Sequence, residues 1–424
     1  MTAEILAEHL RNGDLDSRLS DIYGTRGIDD ARARLLSVAD RYGSLEPDGA
    51  AALFTAAGRT EMGGNHTDHQ HGRVLAASVS LDTVACGGAN GSNEIRVLSE
   101  GYPDVVVDIS ELNPVSAERE SSEAIVRGIA RGITRRGHEV HGATIVTSSN
   151  VPGGSGLSSS AAFEILVGTA LNHLFCDDSL SPLELAQIGK YAENVYFGKP
   201  SGLMDQMACA TGGVISIDFA DPSQPEWETI PFDDESFGHA LCIIDSGADH
   251  ADLTYDYASI VDEMSAVARF FGKQYLREVD PEEFWRRLPE VRTATFDRAV
   301  LRAVHFFDDD ARVPAMARAL AEGRVSDFLD AVDESGISSA THLQNLYSMV
   351  TPHRQAVGVA IAAAQRLLAG RGAVRVHGGG FAGTVQAYVP LDIVDEFTAG
   401  IDAMLGDGSC QAVRIRPVGG AVIA

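Results

Sequence analysis

The chain has 424 residues and a formal net charge of −27, with 60 acidic side chains against 33 Lys and Arg. That surplus excludes a general binder of nucleic acid or anionic membrane, which needs a basic surface. Hydrophobic residues at 45% and charged residues at 22% are the balance of a soluble globular protein, and the length predicts two or three domains.

The cations are almost all arginine: the only lysines are Lys190, Lys199 and Lys273. The cysteines Cys86, Cys176, Cys209, Cys242 and Cys410 are scattered, odd in number and without CxxC spacing. Free thiols in a reducing compartment are expected. The first residues, MTAEILAEHLRNGDLDSRL, show neither a cationic nor an apolar leader region, and the longest apolar stretch, around Ala356 to Ala364, is too short for a bilayer. The expectation is a cytoplasmic protein without membrane contact.

In chain order, the first ~50 residues read as polar helical material. Leu75, Ala77, Val79 and Leu81 alternate as in a half-buried strand, and Val105 to Ile109 is a second strand candidate. Ile125, Val126, Ile129, Ala130 and Ile133 keep the helical period, and Ala143 to Thr147 reads as a strand. Phe163, Leu166, Val167, Ala170, Leu171 and Leu174 mark the clearest helix. A further helix is predicted over Leu183 to Tyr196, ended by Gly198 and Pro200. Gly213 to Phe219 and Ala240 to Asp245 read as strands, residues ~260 to 370 as mainly helical, and 374–376 and 384–388 as two strands. The stretch Asp221 to Phe237, rich in Pro, Asp and Ser, is the best boundary.

Three segments concentrate glycine. PGGSGLSSSAA, Pro152 to Ala162, carries the plainest chemistry. A strand ends, glycines admit close backbone approach, and a helix begins near Ser158. Free N–H groups and the helix dipole attract phosphate there, and the hydroxyls can bond phosphate or magnesium. An ordinary serine-capped helix fits equally well. A GxxxxGK[ST] loop is absent, and the segment lacks the third glycine of a dinucleotide fingerprint. GRTEMGGNHTDHQHG, Gly58 to Gly72, packs Arg59, Glu61, His66, Asp68, His69 and His71 into a short loop. A zinc or iron site, a polyol site and a polar surface loop are all open readings. HGGGFAG, His377 to Gly383, alone says only that a tight turn joins two strands.

Together, in this order, the three segments resemble the motifs of the galacto-, homoserine, mevalonate and phosphomevalonate kinase family. The first segment is similar to the sugar loop of its galactokinase branch, GRxNxIGEHxDYxxG. AENVYFGKPSGLMDQ, Ala192 to Gln206, resembles the segment that ends in the catalytic MDQ. The resemblance runs from about Gly58 to the C-terminus and is weakest over residues ~265–330. It implies an α/β (α+β) fold of two lobes, an N-terminal lobe over 1–225 and a C-terminal lobe over 226–424, with the active site in the cleft. It implies phosphoryl transfer from ATP, with Mg2+, to the anomeric hydroxyl of D-galactose by a monomer.

Matched by motif position, Asp205 would be the catalytic carboxylate and Arg59 its partner. Ser160 and Glu193 would hold magnesium. Asn65, His66, Asp68, Gly202, Tyr257 and Gly379 would line the sugar, with Gly380 nearby. Gly153, Gly154, Ser155, Gly156, Leu157, Ser158, Ser159 and Ser160 would line the triphosphate. Such a site needs no lysine, because transfer through a loose, charge-spread transition state is mainly positioning and electrostatics.

The chain departs from the pattern at four places. Asn65 stands for the usual Glu, His69 for Tyr, Glu61 for Asn and Ala382 for Gly. Asn65 carries no charge and donates as well as accepts, so sugar identity is the open question. A kinase for an amino sugar, uronic acid or arabinose, a non-catalytic sugar and ATP sensor, and a metal hydrolase on the histidine cluster are the competing readings.

Overall fold

The computed structural model describes every residue except Ser155 and 249–252. The polar N-terminal stretch forms three helices, α1 (Ala3–Asn12), α2 (Asp16–Tyr23) and α3 (Ile28–Leu45). Next come β1 (Ala52–Gly63), β2 (Arg73–Ala89), β3 (Glu94–Ser99) and β4 (Val105–Asp108). Helix α4 (Ser122–Thr134) leads into β5 (Ala143–Ser149), which feeds the phosphate-loop candidate and α5 (Ser159–Phe175). Helix α6 (Pro182–Tyr191) runs into a π-helical turn, Ala192–Phe197, that Gly198 ends at φ 93°. Helix α7 (Met204–Thr211), β6 (Val214–Asp218) and β7 (Glu226–Ile230) follow.

The second half holds β8 (His239–Asp245), a helical block, β9 (Ala373–Val376), β10 (Thr384–Pro390), β11 (Cys410–Val413) and the short β12 (Ala421–Val422). Its longest helices are Asp297–Ala321, Thr254–Phe270 and Val325–Ser338.

The larger sheet runs β12-β1-β2-β5-β3-β4, with β6 and β7 attached to β2; only β3 and β5 pair in parallel. The smaller sheet is antiparallel, β11-β8-β10-β9. A division of the chain at 225 does not follow the sheets. β7 begins at Glu226 yet pairs with β6, and β12 returns to pair with β1.

β2 is buried on both faces, not one. Val74 and Ala76 join the core under α4 to α7, while Leu75, Ala77 and Val79 pack toward Leu241, Ile243, Met316 and Phe328. The alternation is real, but the polar partners expected on the second face are alanine and serine, small enough for another layer to cover. Helices α1 to α3 cover a further part of the sheet through Leu6, Leu10, Ile22, Leu35 and Val38.

One expectation changes in a way that matters for the site. The segment from Gly58 is not all loop: Arg59 to Gly63 lie in β1, whose twelve residues are all buried. The β1–β2 register shifts between Ala57 and Arg59, a bulge of the kind that re-aims a side chain next to an active site.

Candidate active site

Asp205 sits in the first turn of α7, where a carboxylate is favoured by the helix dipole. Arg59 leaves β1 just past the bulge and grips it from two sides. Nε donates to Oδ1 and Nη2 to Oδ2, each at 2.8 Å. The third arm, Nη1, donates to the carbonyl of Gly156 in the phosphate loop. Arg59 is buried, but 34% of the Asp205 side chain is exposed, so the carboxylate can still meet a substrate.

Ser158 was expected to cap a helix or bond phosphate. It lies before α5 with φ 54° and makes no cap hydrogen bond; its Oγ donates to Asp205 Oδ2 at 2.6 Å. Burial alone would push the Asp205 carboxyl up. The Arg59 guanidinium, the hydrogen bonds from Arg59 and Ser158 and the Lys199 ammonium outweigh it and hold the carboxyl below its usual range. The group is therefore ionised at neutral pH and can accept a proton.

The third glycine segment meets the phosphate loop. A Cβ on Gly156 would come within 2.8 Å of Thr384 Oγ1 and 2.9 Å of His377 Nδ1, so only glycine fits there. His377 also bonds Thr60 of β1 at 3.0 Å and Thr384 at 2.9 Å, joining the two halves of the chain. Sequence reasoning passed over His377, Thr60 and Thr384; the position of the histidine at the head of HGGGFAG was the only signal.

On the sugar side, His66 Nε2 bonds the carbonyl of Gly379 at 2.9 Å, and Tyr257 donates to the carbonyl of Gly380 at 2.8 Å. Gly202 is forced: a Cβ there would lie 2.6 Å from Asp68 Oδ2. The structure thus brings Asp68, His66, Gly202, Gly379 and Tyr257 together around the segments that carry Arg59 and Asp205.

Asn65 is different. It is fully buried, and its amide donates to Gly378 O at 2.7 Å and Glu61 Oε1 at 3.1 Å while accepting from Asn345 at 2.9 Å. Its side chain ties the first segment to the third rather than facing the cleft. Glu61, the other departure from the pattern, pairs with the buried Arg375.

Ser160 is exposed in the first turn of α5. Glu193 is buried in the π-helical turn and accepts from Lys199 Nζ at 2.8 Å and from Gln206 Nε2 at 3.1 Å. The same Gln206 amide donates to the buried Glu164 at 2.9 Å, and among the described residues Glu164 Oε1 has no hydrogen-bond partner. Ser160 and Glu164 line a cavity of about 260 Å3, with Phe163, Phe197, Tyr102 and Thr147. A larger cavity of about 670 Å3, lined by Phe237, Leu241 and Tyr388, contains none of the candidate site residues. Glu164, Gln206 and Lys199 escaped sequence reasoning. Ser155 of the predicted phosphate loop lies outside the described residues.

The histidine cluster does not form a metal centre: among the described residues no group of three or more His, Cys, Asp and Glu could hold a metal ion. Burial pushes His66 down to about 4 and both His69 and His377 down to about 3. All three stay neutral through the physiological range. A profile of kcat/KM between about pH 5 and 8 should therefore show no ionisation near the ordinary histidine value of about 6.5. A step there that disappears in His66→Gln would overturn this assignment.

The model described as "GHMP kinases N terminal domain" matches residues 124–213, α4 to just past α7. The model described as "Galactokinase galactose-binding signature" matches residues 39–89, which span β1, the sugar loop and β2. The chain superposes on galactokinase of Lactococcus lactis, complexed with galactose, with a TM-score of 0.78 at 23% identity, covering 91% of this chain and 99% of that one. Mevalonate kinase of L. major gives 0.59 at 14% identity, covering 88% and 98%. A D-glycero-D-manno-heptose 1-phosphate kinase from Bacteriodes thetaiotaomicron gives the same score, identity and coverage. The chain is thus similar to the GHMP kinases over residues 124–213 and to the galactokinase galactose-binding signature over residues 39–89, and it shares the fold of galactokinase and mevalonate kinase.

Proposed function

We propose that this chain transfers the γ-phosphoryl group of ATP to the anomeric hydroxyl of D-galactose, with Asp205 as the proton acceptor. The observation that carries the mechanism is the Asp205 carboxylate itself, ionised, partly exposed and held by Arg59 and Ser158. Asp205 takes the hydroxyl proton, or polarises it, as phosphorus is attacked. Arg59 fixes the carboxylate and links it to the phosphate loop through Gly156, so that nucleophile and phosphoryl group are aligned. His66 and Asp68 hold sugar hydroxyls, and the N-terminus of α5 with Gly153 to Ser160 cradles the triphosphate. The cavity beside Ser160 supports a place for the nucleoside.

The donors fit a hard divalent cation. Ser160 Oγ and the Glu193 carboxylate are oxygen ligands, and Oε1 of Glu164, without a partner among the described residues, adds an acceptor nearby. Bound magnesium would neutralise charge on the transferring phosphate. The Asn65 amide is occupied within the protein, so recognition of the sugar is assigned to Asp68 and to His66, whose ring must exchange a partner, Gly379 or His69, for a sugar hydroxyl.

The test is ADP release, coupled to a detector, with ATP, magnesium and a panel of galactose, galactosamine, galacturonate and arabinose. Sugar-dependent ADP, greatest with galactose and abolished by chelator, is the expected result. ADP release with another sugar alone would move the substrate assignment, and none with any sugar would favour a sensor that binds both ligands.

A further inference from the structure

We propose that Lys199 binds the polyphosphate of the nucleotide, adding a cation to a cradle otherwise made of backbone N–H groups and a helix N-terminus. The proposal rests on the ATP-dependent reading above and goes beyond it.

The argument starts from donor capacity. Arg59 lies next to the phosphate loop, but three of its five N–H groups, one on each nitrogen, are committed to Asp205 and Gly156. It supplies field more readily than new hydrogen bonds. Lys199 has three N–H donors, and among the described residues one goes to Glu193. Its side chain is 59% exposed, so the other donors face open space.

The backbone holds the lysine in place. Gly198 ends the π-helical turn with φ 93°, and the Lys199 N–H donates to the Glu193 carbonyl at 3.1 Å. The ammonium bonds Glu193, whose other oxygen accepts from Gln206, the residue after Asp205 in α7, so the charge stands beside the helix that carries the carboxylate. A triphosphate whose magnesium is held by Glu193 comes beside that ammonium, because the two side chains are bonded at 2.8 Å. In a chain with only three lysines, one stands six residues before the catalytic carboxylate. A compact, strongly hydrated point charge on a flexible stem suits phosphate oxygens that shift during transfer.

The experiment compares Lys199→Met, Lys199→Gln and Lys199→Arg with the unaltered full chain. Titration calorimetry with ADP, with and without magnesium, is the readout besides turnover. Lys199→Met and Lys199→Gln should weaken ADP about tenfold in both conditions, the size of one charged hydrogen bond, and Lys199→Arg should recover part of it. The KM for galactose should not change. Removing the ammonium leaves the buried Glu193 carboxylate without its cation, so the thermal midpoint should fall in Lys199→Met and Lys199→Gln, and affinities are compared well below the lowest midpoint. The same loss should persist in a Glu193→Gln background, where no ion pair remains to be broken. Unchanged ADP affinity, or a loss seen only while Glu193 is present, would overturn the proposal. If the unaltered protein binds ADP and turns over sugar, such a result removes only the role of Lys199. If it does neither, the kinase reading itself is wrong.

Discussion

Asp205→Asn is expected to lower kcat by about 100- to 10,000-fold, the range for loss of a positioned general base, with little change in KM for either substrate. Asparagine keeps the shape and an acceptor for Arg59 but cannot take the proton. Far-UV circular dichroism should stay that of the unaltered chain, and the thermal midpoint should fall less than in Asp205→Ala. Asp205→Ala is the poorer test: both variants remove the counter-ion of the buried Arg59 guanidinium, but alanine also removes every acceptor it used and so mixes a larger stability loss into the kinetics. A near-normal kcat in Asp205→Asn would remove the general-base role and leave Asp205 as an anchor for Arg59.

The second large effect lies far from the chemistry. Asp82 is fully buried in β2, and its carboxylate accepts from Tyr23 at 2.7 Å, Thr55 at 2.6 Å and Arg416 at 2.8 Å, as well as from Arg34. These partners come from α2, α3, β1 and the C-terminal tail, so one carboxylate fastens the N-terminal helices and the tail to the sheet. Asp82→Ala leaves two arginines without their shared anion, and Arg416 is itself only 1% exposed. The expected loss is about 3–5 kcal/mol, measured as a lower urea midpoint. A loss below about 1 kcal/mol would mean that the arginines find other partners.

The same group predicts a pH dependence. Burial would push the Asp82 carboxyl up, but Arg34 and Arg416 hold it below the ordinary value. Its contribution is therefore complete above the unfolded value of about 3.9 and is lost as pH falls through the lower folded value. Acid unfolding should accordingly be shallower in Asp82→Ala than in the unaltered chain.

Much of this was legible in the sequence because it depends on local rules. The 3.6-residue period of α5, the alternation in β2 and the glycine-rich turns are short-range signals, and the elements formed where those signals stand. The four ordered motifs carried the site in the same way, since a residue's place within a motif travels with its neighbours. Misreadings arose where a polar composition concealed a buried strand. Arg59, Thr60 and Glu61 look like loop residues, yet β1 can bury them because Asp205, His377 and Arg375 lie opposite.

Partners distant in sequence decided the rest. Ser158 is 47 positions from Asp205, Arg416 is 334 from Asp82, and Asn65 is 280 from Asn345. No periodicity encodes such pairs, because they arise only when separate layers pack. The sequence alone determined the residue types that phosphoryl transfer needs, and its charge of −27 set the expectation against nucleic-acid and anionic-membrane partners. Tertiary structure decided which of those residues meet. It turned Asn65 inward, aimed Ser158 at the carboxylate and set one of three lysines at the edge of a site expected to need none. The physical reason is that charge and hydrogen-bond capacity belong to each side chain, whereas distance belongs only to the fold.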